Sequence, residues 1–425
     1  MKVDAIVVGS GPGGASVALT LAREGARVLV LERGQAPKQC GTFSRLLPMA
    51  CIPGQSSFIS KDGMLIMRAL TPGGSGFINY ATAGDPPLSL FRRHGIDLAQ
   101  DLAAVRAELP IAPLKASLIG PRAHLLREAA LALKLPWQAQ EKLIEQANCR
   151  SDCHRCTYGC PFQAKWHPGL WVQEAVRLGA RFETGARVER VIERQGRAVG
   201  VRYRQGGRWQ EAWANRVIVA AGGLGSPAIL RRSGLTEVGE SLFVDPVLAV
   251  MGELPTAPGS GRELPMVFGL HAPEQGYLLT DLALPAPLLH LFAAQVGRRI
   301  DPHRSLCLMV KGRDSLTGRV GPLEWPVKSL SGQDKQVLAI GRQQAEAILC
   351  QAGATRLVCS HPFAAHPGGS VALGEHLDEG LETRLRGLHL CDASLIPEPW
   401  GLPPTLPLLT LGRYLGRRLG KGGAP

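Results

Sequence analysis

Asp4-Ala-Ile-Val-Val8, Gly9-Ser-Gly-Pro-Gly-Gly14, Ala15 to Glu24 and Arg27-Val-Leu-Val-Leu-Glu32 open the chain, and their order decides the fold. A short apolar strand runs into a glycine turn, a helix of small residues follows, and a second strand ends on an acid. This is the dinucleotide-binding fingerprint in its full context: Gly9, Gly11 and Gly14 after a strand, with Glu32 placed 18 residues beyond Gly14. The glycines let the backbone approach a pyrophosphate, the N–H groups of the helix N-terminus receive its charge, and Glu32 accepts ribose hydroxyls. The pattern predicts an α/β fold with a Rossmann-type nucleotide domain.

An enzyme that passes hydride between a nicotinamide and a flavin needs one fingerprint per coenzyme. No second one follows a strand here. Val217-Ile-Val-Ala-Ala-Gly-Gly-Leu-Gly-Ser226 comes nearest, yet it lacks the spacing and the downstream acid. One tightly held FAD that carries its own redox chemistry is therefore expected.

At 425 residues, with 45% hydrophobic and 20% charged residues, the chain has the composition of an ordinary folded protein with room for two or three lobes. The net charge of +13 admits an acidic partner or membrane surface. The arginines are scattered and no basic run interleaves with aromatics, so no nucleic-acid partner is expected. No secretory leader is expected before the first strand, and no run of 18 apolar residues occurs. Leu278 to Val296 comes closest and reads as a cavity wall or a surface dipping into lipid. Four of the ten cysteines crowd into twelve residues, unlike a disulfide framework, so the expected location is cytoplasmic or at the membrane face.

The organisation reads as a nucleotide domain interrupted by other segments. Residues 1–100 hold its first part, including the glycine loop Thr71-Pro-Gly-Gly-Ser-Gly-Phe-Ile-Asn79, and 101–180 a helical segment with the cysteines. Residues 181–235 return to it with strands at Arg187–Ile192, Val199–Arg204 and Val217–Ala221. The span 236–345 forms an inserted, smaller substrate lobe, expected to be proline-rich and irregular from Thr236 to about Val327 apart from strand-like patches at Leu306–Val310 and Gly318–Val320. Residues 346–425 close the nucleotide domain with a strand at Leu388–Cys391 and a helix from about Thr405.

Five segments together resemble the glucose-methanol-choline (GMC) type of flavoprotein oxidoreductase. They are the opening fingerprint, Gly73-Gly-Ser-Gly-Phe-Ile-Asn79, Ala220-Ala-Gly-Gly-Leu-Gly-Ser-Pro-Ala-Ile-Leu230, His366-Pro-Gly-Gly-Ser-Val-Ala-Leu-Gly374, and Cys391-Asp-Ala-Ser-Leu-Ile-Pro397 with Gly401-Leu-Pro-Pro-Thr405. The resemblance implies that Gly73, Gly74, Ser75 and Asn79 lie along the isoalloxazine and pyrophosphate. It places Ala221, Gly222 and Asp392 at the coenzyme, and Pro404 and Thr405 at a helix N-terminus facing the flavin, where a positive dipole end favours the anionic reduced form. His366 matches the family's active-site histidine, the base that takes a hydroxyl proton as hydride leaves for the flavin; His361 is its rival. The chain departs from the family at Pro403, where a second polar partner, Asn or His, usually stands.

Cys149-x3-Cys153-x2-Cys156-x3-Cys160-Pro161 is one residue away from the ferredoxin run that holds iron–sulfur clusters. Zinc sites more often split their ligands into two knuckles, and plain structural cysteines are the third reading. Some family members resemble this segment without a cluster; certain sugar dehydrogenases of the family hold a three-iron cluster in a related one. Three ligands favour a three-iron cluster and four a four-iron cluster, Cys149 being the marginal one. The expected function is a dehydrogenase acting on an alcohol or similar small molecule, with electrons leaving through the cluster to a protein or quinone acceptor. A reductase or desaturase of a lipid-like substrate and a non-catalytic flavin/iron–sulfur electron-transfer subunit are the alternatives.

Overall fold

The computed structural model describes residues 2–364 and 366–421. The opening strand, Lys2–Val8, lies between Val28–Glu32 and Arg208–Val219, parallel to both. Parallel strands are covered on both faces, which is why Ile6-Val7-Val8 and Val28–Leu31 are continuous apolar runs and buried throughout. Arg181–Thr184 extends the parallel layer on one side and Leu388–Leu390 on the other. Arg208–Val219 serves two purposes: its first half pairs antiparallel with Arg197–Gln205, which pairs in turn with Arg187–Arg194, and its second half enters the parallel layer. The sheet has seven strands, and the first, middle and last parts of the chain meet in it.

The helix Pro12–Arg23 packs against the closing helix Thr405–Lys421 through small residues. A Cβ at Gly412 would lie 2.5 Å from that of Ser16, and one at Gly416 would lie 2.6 Å from that of Thr20. Ser16 Oγ donates to the Leu409 carbonyl at 2.6 Å across the same contact.

A second sheet, of nine strands, builds the other lobe. Its centre is antiparallel: Pro246–Glu253, Ser305–Gly312, Tyr277–Asp281 and Phe268–Ala272. The segment expected to be irregular from Thr236 to Val327 therefore supplies the central strands. Its prolines mark element ends, with Pro246 opening a strand and Pro285 preceding the helix Ala286–Ala294. The sheet also recruits Ser57–Ile59, Leu65–Met67, Arg356–Cys359 and Phe363–Ala364 from outside residues 236–345. The helix Gly332–Gln351, started by a Ser331/Asp334 capping box, packs on these strands. Val247, Ala249, Met251, Cys307 and Met309 pack instead against Leu289, Phe292 and Ala293 of Ala286–Ala294. Between residues 97 and 135 the helical pattern resolves into Ala99–Glu108 and Pro121–Ala132, broken at Pro110 and Pro113 by a short strand. Among the described residues no helix is long and apolar enough to cross a membrane.

Gly412→Val should lower thermal stability, by about 1–3 kcal/mol, because neither Ser16 nor the helix backbone has room to retreat. A melting temperature equal to that of the parent would show that the two helices separate freely.

Candidate active site

A cavity of about 420 Å³ extends from the carboxyl ends of the parallel strands to the apolar face of the second sheet. Parallel α/β sheets bind ligands at that end because the strand termini and helix N-termini open there. Gly9, Gly11, Glu32, Gly74, Ser75, Asn79, Ala221, Gly222, Asp392, Pro404 and Thr405 all line it, and so does His366. Gly14 and Gly73, also expected at the coenzyme, do not. A Cβ at Gly14 would meet the Gly9 carbonyl oxygen at 2.1 Å, so this glycine allows helix and strand to touch. Gly73 holds a left-handed turn (φ 90°) that sets up Gly74.

Glu32 is buried and held by three donors: Ser10 N–H at 3.0 Å, Ser10 Oγ at 2.6 Å and Gly34 N–H at 2.7 Å. Burial raises its pKa, opposed by these bonds. Ser10 Oγ also accepts from Gly73 N–H at 3.0 Å, which ties the glycine loop to the fingerprint turn. Asp392 accepts from Gly222 N–H (2.9 Å), Ser394 N–H (2.8 Å), Ser394 Oγ (2.6 Å) and Ser226 Oγ. Asn79 donates to Thr405 Oγ1 at 3.2 Å, joining the loop to the closing helix. Arg33, Arg68 and Glu324 also line the cavity; Glu324 accepts from Arg33 at 2.7 Å and from Arg68. Bare glycine backbone, a helix N-terminus and the Glu32 carboxylate on one cavity fit a dinucleotide coenzyme.

His366 is anchored through its backbone N–H, which donates to the Val244 carbonyl at 3.2 Å. Its Nδ1 lies 3.4 Å from Asp245 Oδ2, and neither Nδ1 nor Asp245 Oδ1 has another partner. Asp245 is buried, adopts a left-handed conformation (φ 50°) and pairs with Lys311 Nζ at 2.8 Å. Lys311 lines the cavity and also donates to the Leu402 carbonyl at 3.0 Å. Burial, helped by the Lys311 charge and opposed by Asp245, lowers His366 from its ordinary 6.5 to about 4. The ring is then neutral near pH 7. Sequence reasoning missed Asp245, Lys311 and Ser10. Pro403 does line the cavity, and His361 is exposed outside it.

On the side of the second sheet the wall is mostly apolar: Val247, Met266, Leu282, Leu284, Leu288, Phe292, Met309 and Phe363. The span from Leu278 to Val296 thus contributes a wall. Leu291 both lines the cavity and is 47% exposed, so the cavity reaches the surface beside it.

Cys149, Cys153, Cys156 and Cys160 share a second, small cavity with Lys165, Arg150 and Arg155. Burial raises the first three thiols, Cys149 to about 12. Among the described residues no group of three or more His, Cys, Asp or Glu side chains is disposed to hold a single metal ion. The Lys165 ammonium donates to the carbonyls of Phe77 (2.6 Å), Asn79 (2.9 Å) and Cys156 (2.8 Å).

An NMR titration of the His366 ring should give a midpoint near pH 4. A midpoint at the ordinary 6.5 would show a solvated ring, and one above it a dominant Asp245 contact.

The GMC oxidoreductase family model matches residues 3–247, more than half of the chain. An uncharacterised GMC-type oxidoreductase of Mycobacterium tuberculosis is 34% identical over 271 residues, covering 59% of this chain and 43% of the relative. The chain thus matches under half the length of that relative. The long-chain-alcohol oxidase FAO1 of Arabidopsis thaliana is 24% identical, covering 99% of this chain and 67% of its own. The crystal structure of pyridoxine 4-oxidase from Mesorbium loti superposes with a TM-score of 0.76 at 17% identity, covering 99% and 100% of the two chains. Formate oxidase from Aspergillus oryzae gives 0.74 at 14% identity, over 99% and 98%. The fold is that of these oxidases, and the chain belongs to the GMC oxidoreductase family.

Proposed function

We propose that this protein is an FAD-dependent dehydrogenase of an apolar alcohol, whose electrons leave singly through an iron–sulfur cluster on Cys149, Cys153, Cys156 and Cys160. The observation that carries the first half is a single cavity with nucleotide-binding strand ends at one side, an aliphatic and aromatic wall at the other, and His366 in its lining. Each methylene buried against that wall contributes about 0.8 kcal/mol, so an alcohol with a long alkyl chain suits it better than a sugar. The Arabidopsis relative named for long-chain alcohols supports the same substrate class.

When bound, the isoalloxazine supplies a two-electron acceptor for hydride. His366, neutral, accepts the hydroxyl proton, and Asp245 beside Nδ1 favours the tautomer that leaves Nε2 as the base and steadies the protonated ring. The N-terminus of Thr405–Lys421, reaching the cavity at Pro404 and Thr405, favours negative charge there.

Support for the cluster lies in the donor set. Four thiols with near-ferredoxin spacing face one cavity, with Lys165, Arg150 and Arg155 in its wall to balance their charge once ionised. The space between them is about 10 Å³, so a cluster would have to spread the 149–160 loop. Cys156 lines this cavity while its neighbour Thr157 lines the coenzyme cavity. A cluster, when bound, would pass electrons one at a time to a protein or quinone acceptor. All ten cysteines are free, which fits a reducing cytoplasmic setting. The exposed Leu291 beside the opening and the net charge of +13 suit peripheral contact with an anionic lipid surface.

Mixing the anaerobic holoenzyme with decan-1-ol should bleach the visible flavin band, and His366→Ala should slow the bleaching by about 10²–10⁴-fold. A flavin that stays oxidised with every alcohol but turns over with an unsaturated acceptor would replace this reading by the reductase one. For the cysteines, anaerobically purified protein should contain iron and acid-labile sulfide, with an iron–sulfur EPR signal as isolated for a three-iron cluster or after dithionite reduction for a four-iron one, lost in Cys156→Ser. Iron-free protein would remove the cluster and leave the flavin chemistry standing.

A further inference from the structure

The missing partner at Pro403 leaves the alcohol oxygen without a second protein contact, and the fold supplies one from an unrelated strand. Lys311 lies in Ser305–Gly312, a strand buried at every position, where it is 1% exposed and lines the cavity. Its ammonium donates to the carbonyl of Leu402, the residue next to Pro403, at 3.0 Å. The charge therefore sits beside the position where the family's side chain is absent. An ammonium has three N–H donors. Asp245 takes one at 2.8 Å and Leu402 a second, which leaves the third uncommitted in the wall of a cavity. His366 lines the same cavity, and its Nδ1 faces the Asp245 carboxylate that pairs with Lys311.

We propose that Lys311 is a catalytic residue: its third N–H binds the substrate oxygen, and its charge stabilises the negative charge that oxygen acquires as its proton departs. This rests on the alcohol-dehydrogenase reading above. The O–H bond breaks with its proton going to His366. The adjacent C–H bond breaks with its electron pair leaving as hydride to the coenzyme, and the carbon–oxygen double bond forms. The alcohol is oxidised and FAD is reduced by the same two electrons. Lys311 itself gains and loses no proton. A fixed cation aimed at the site of developing charge costs no reorganisation during the reaction, because Asp245 and the Leu402 carbonyl already hold it. The same cation explains how a ring with its pKa near 4 extracts a hydroxyl proton at neutral pH. A weak base suffices when the alkoxide it leaves behind is stabilised.

The test uses decanoate, an anion of the same chain length as decan-1-ol, whose binding to the holoenzyme is read from the shift of the flavin absorption spectrum without turnover. Lys311→Gln keeps an N–H donor for Asp245 and Leu402 but not the charge; Lys311→Arg keeps the charge. Decanoate should bind the parent and Lys311→Arg alike and should bind Lys311→Gln about tenfold or more weakly, as loss of a charge-assisted bond requires. Reduction by decan-1-ol at saturation should fall about 10²–10³-fold in Lys311→Gln. Normal decanoate binding in folded, FAD-loaded Lys311→Gln would overturn the proposal, and so would a parent that binds no decanoate. A parent that no alcohol reduces, but whose decanoate binding depends on Lys311, would sink the dehydrogenase reading and keep Lys311 as the oxygen-binding group.

Discussion

Bare backbone at the head of the first helix is the constraint on which the other features hang. A Cβ at Gly9 would fall 2.2 Å from the Ala220 carbonyl oxygen, and one at Gly13 would fall 1.9 Å from that of Cys391. The helix N-terminus is thus wedged against the ends of two strands that enter the sheet from the middle and the end of the chain. No single stretch can complete the coenzyme site. Residues 2–32, 208–232 and 388–421 must be in place together, and the glycine contacts at Ser16/Gly412 and Thr20/Gly416 continue the same close fit along both helices. Assembly of this kind rests on contacts of very long sequence separation, which are slow to form.

A second constraint is ionic. Asp314 accepts the backbone N–H groups of Val244 (3.1 Å) and Asp245 (2.8 Å), and pairs with Lys328 at 2.7 Å, both side chains fully buried. Burial pushes Asp314 up to about 6. Removing two charge pairs from water costs several kcal/mol per ion, and the attraction within each pair only offsets it. What the arrangement achieves is position. The Val244 carbonyl holds the His366 backbone, the Asp245 carboxylate faces its ring, and Asp314 binds the N–H groups of both residues, Asp245 being left-handed. The candidate base is located from main chain and side chain by the same dipeptide.

These constraints were unequally legible in the sequence. The nucleotide half could be read because its physics is local: glycines, a helix start and Glu32 stand at fixed offsets, and each has a reason tied to its immediate neighbours. His366, Asp392 and Thr405 stood out because they sit in segments that resemble a family, and the structure brings all three to one cavity. Asp245 and Lys311 were missed, although each left a trace. Lys311 is a charge inside Leu306-Cys-Leu-Met-Val-Lys311, and Asp245 follows Leu242-Phe-Val244. A charge within a buried run needs a partner, yet the partner lies 66 residues away, just before the paired strand Pro246–Glu253, and register is not encoded locally. The proline-rich middle misled for a related reason. Prolines counted by density suggest irregular chain, whereas here they punctuate strand and helix ends and leave the strand interiors free to pair.

Two buried lysines show how the glycine loop is joined to the rest of the molecule. Lys165 donates to Phe77 and Asn79 on one side and to Cys156 on the other. Lys142 donates to the carbonyls of Tyr80 (2.6 Å), Pro265 (3.0 Å) and Met266 (3.2 Å). Burial lowers both to about 8. Each ammonium finds three carbonyls, so the charge is hydrogen-bonded although it is buried. The loop is consequently pinned between the cysteine segment and the second lobe by charge–dipole contacts. Displacement of the 149–160 loop is felt at Asn79, and through Asn79 at Thr405 and the closing helix. The thiol cavity and the coenzyme cavity are mechanically a single unit, whatever passes between them.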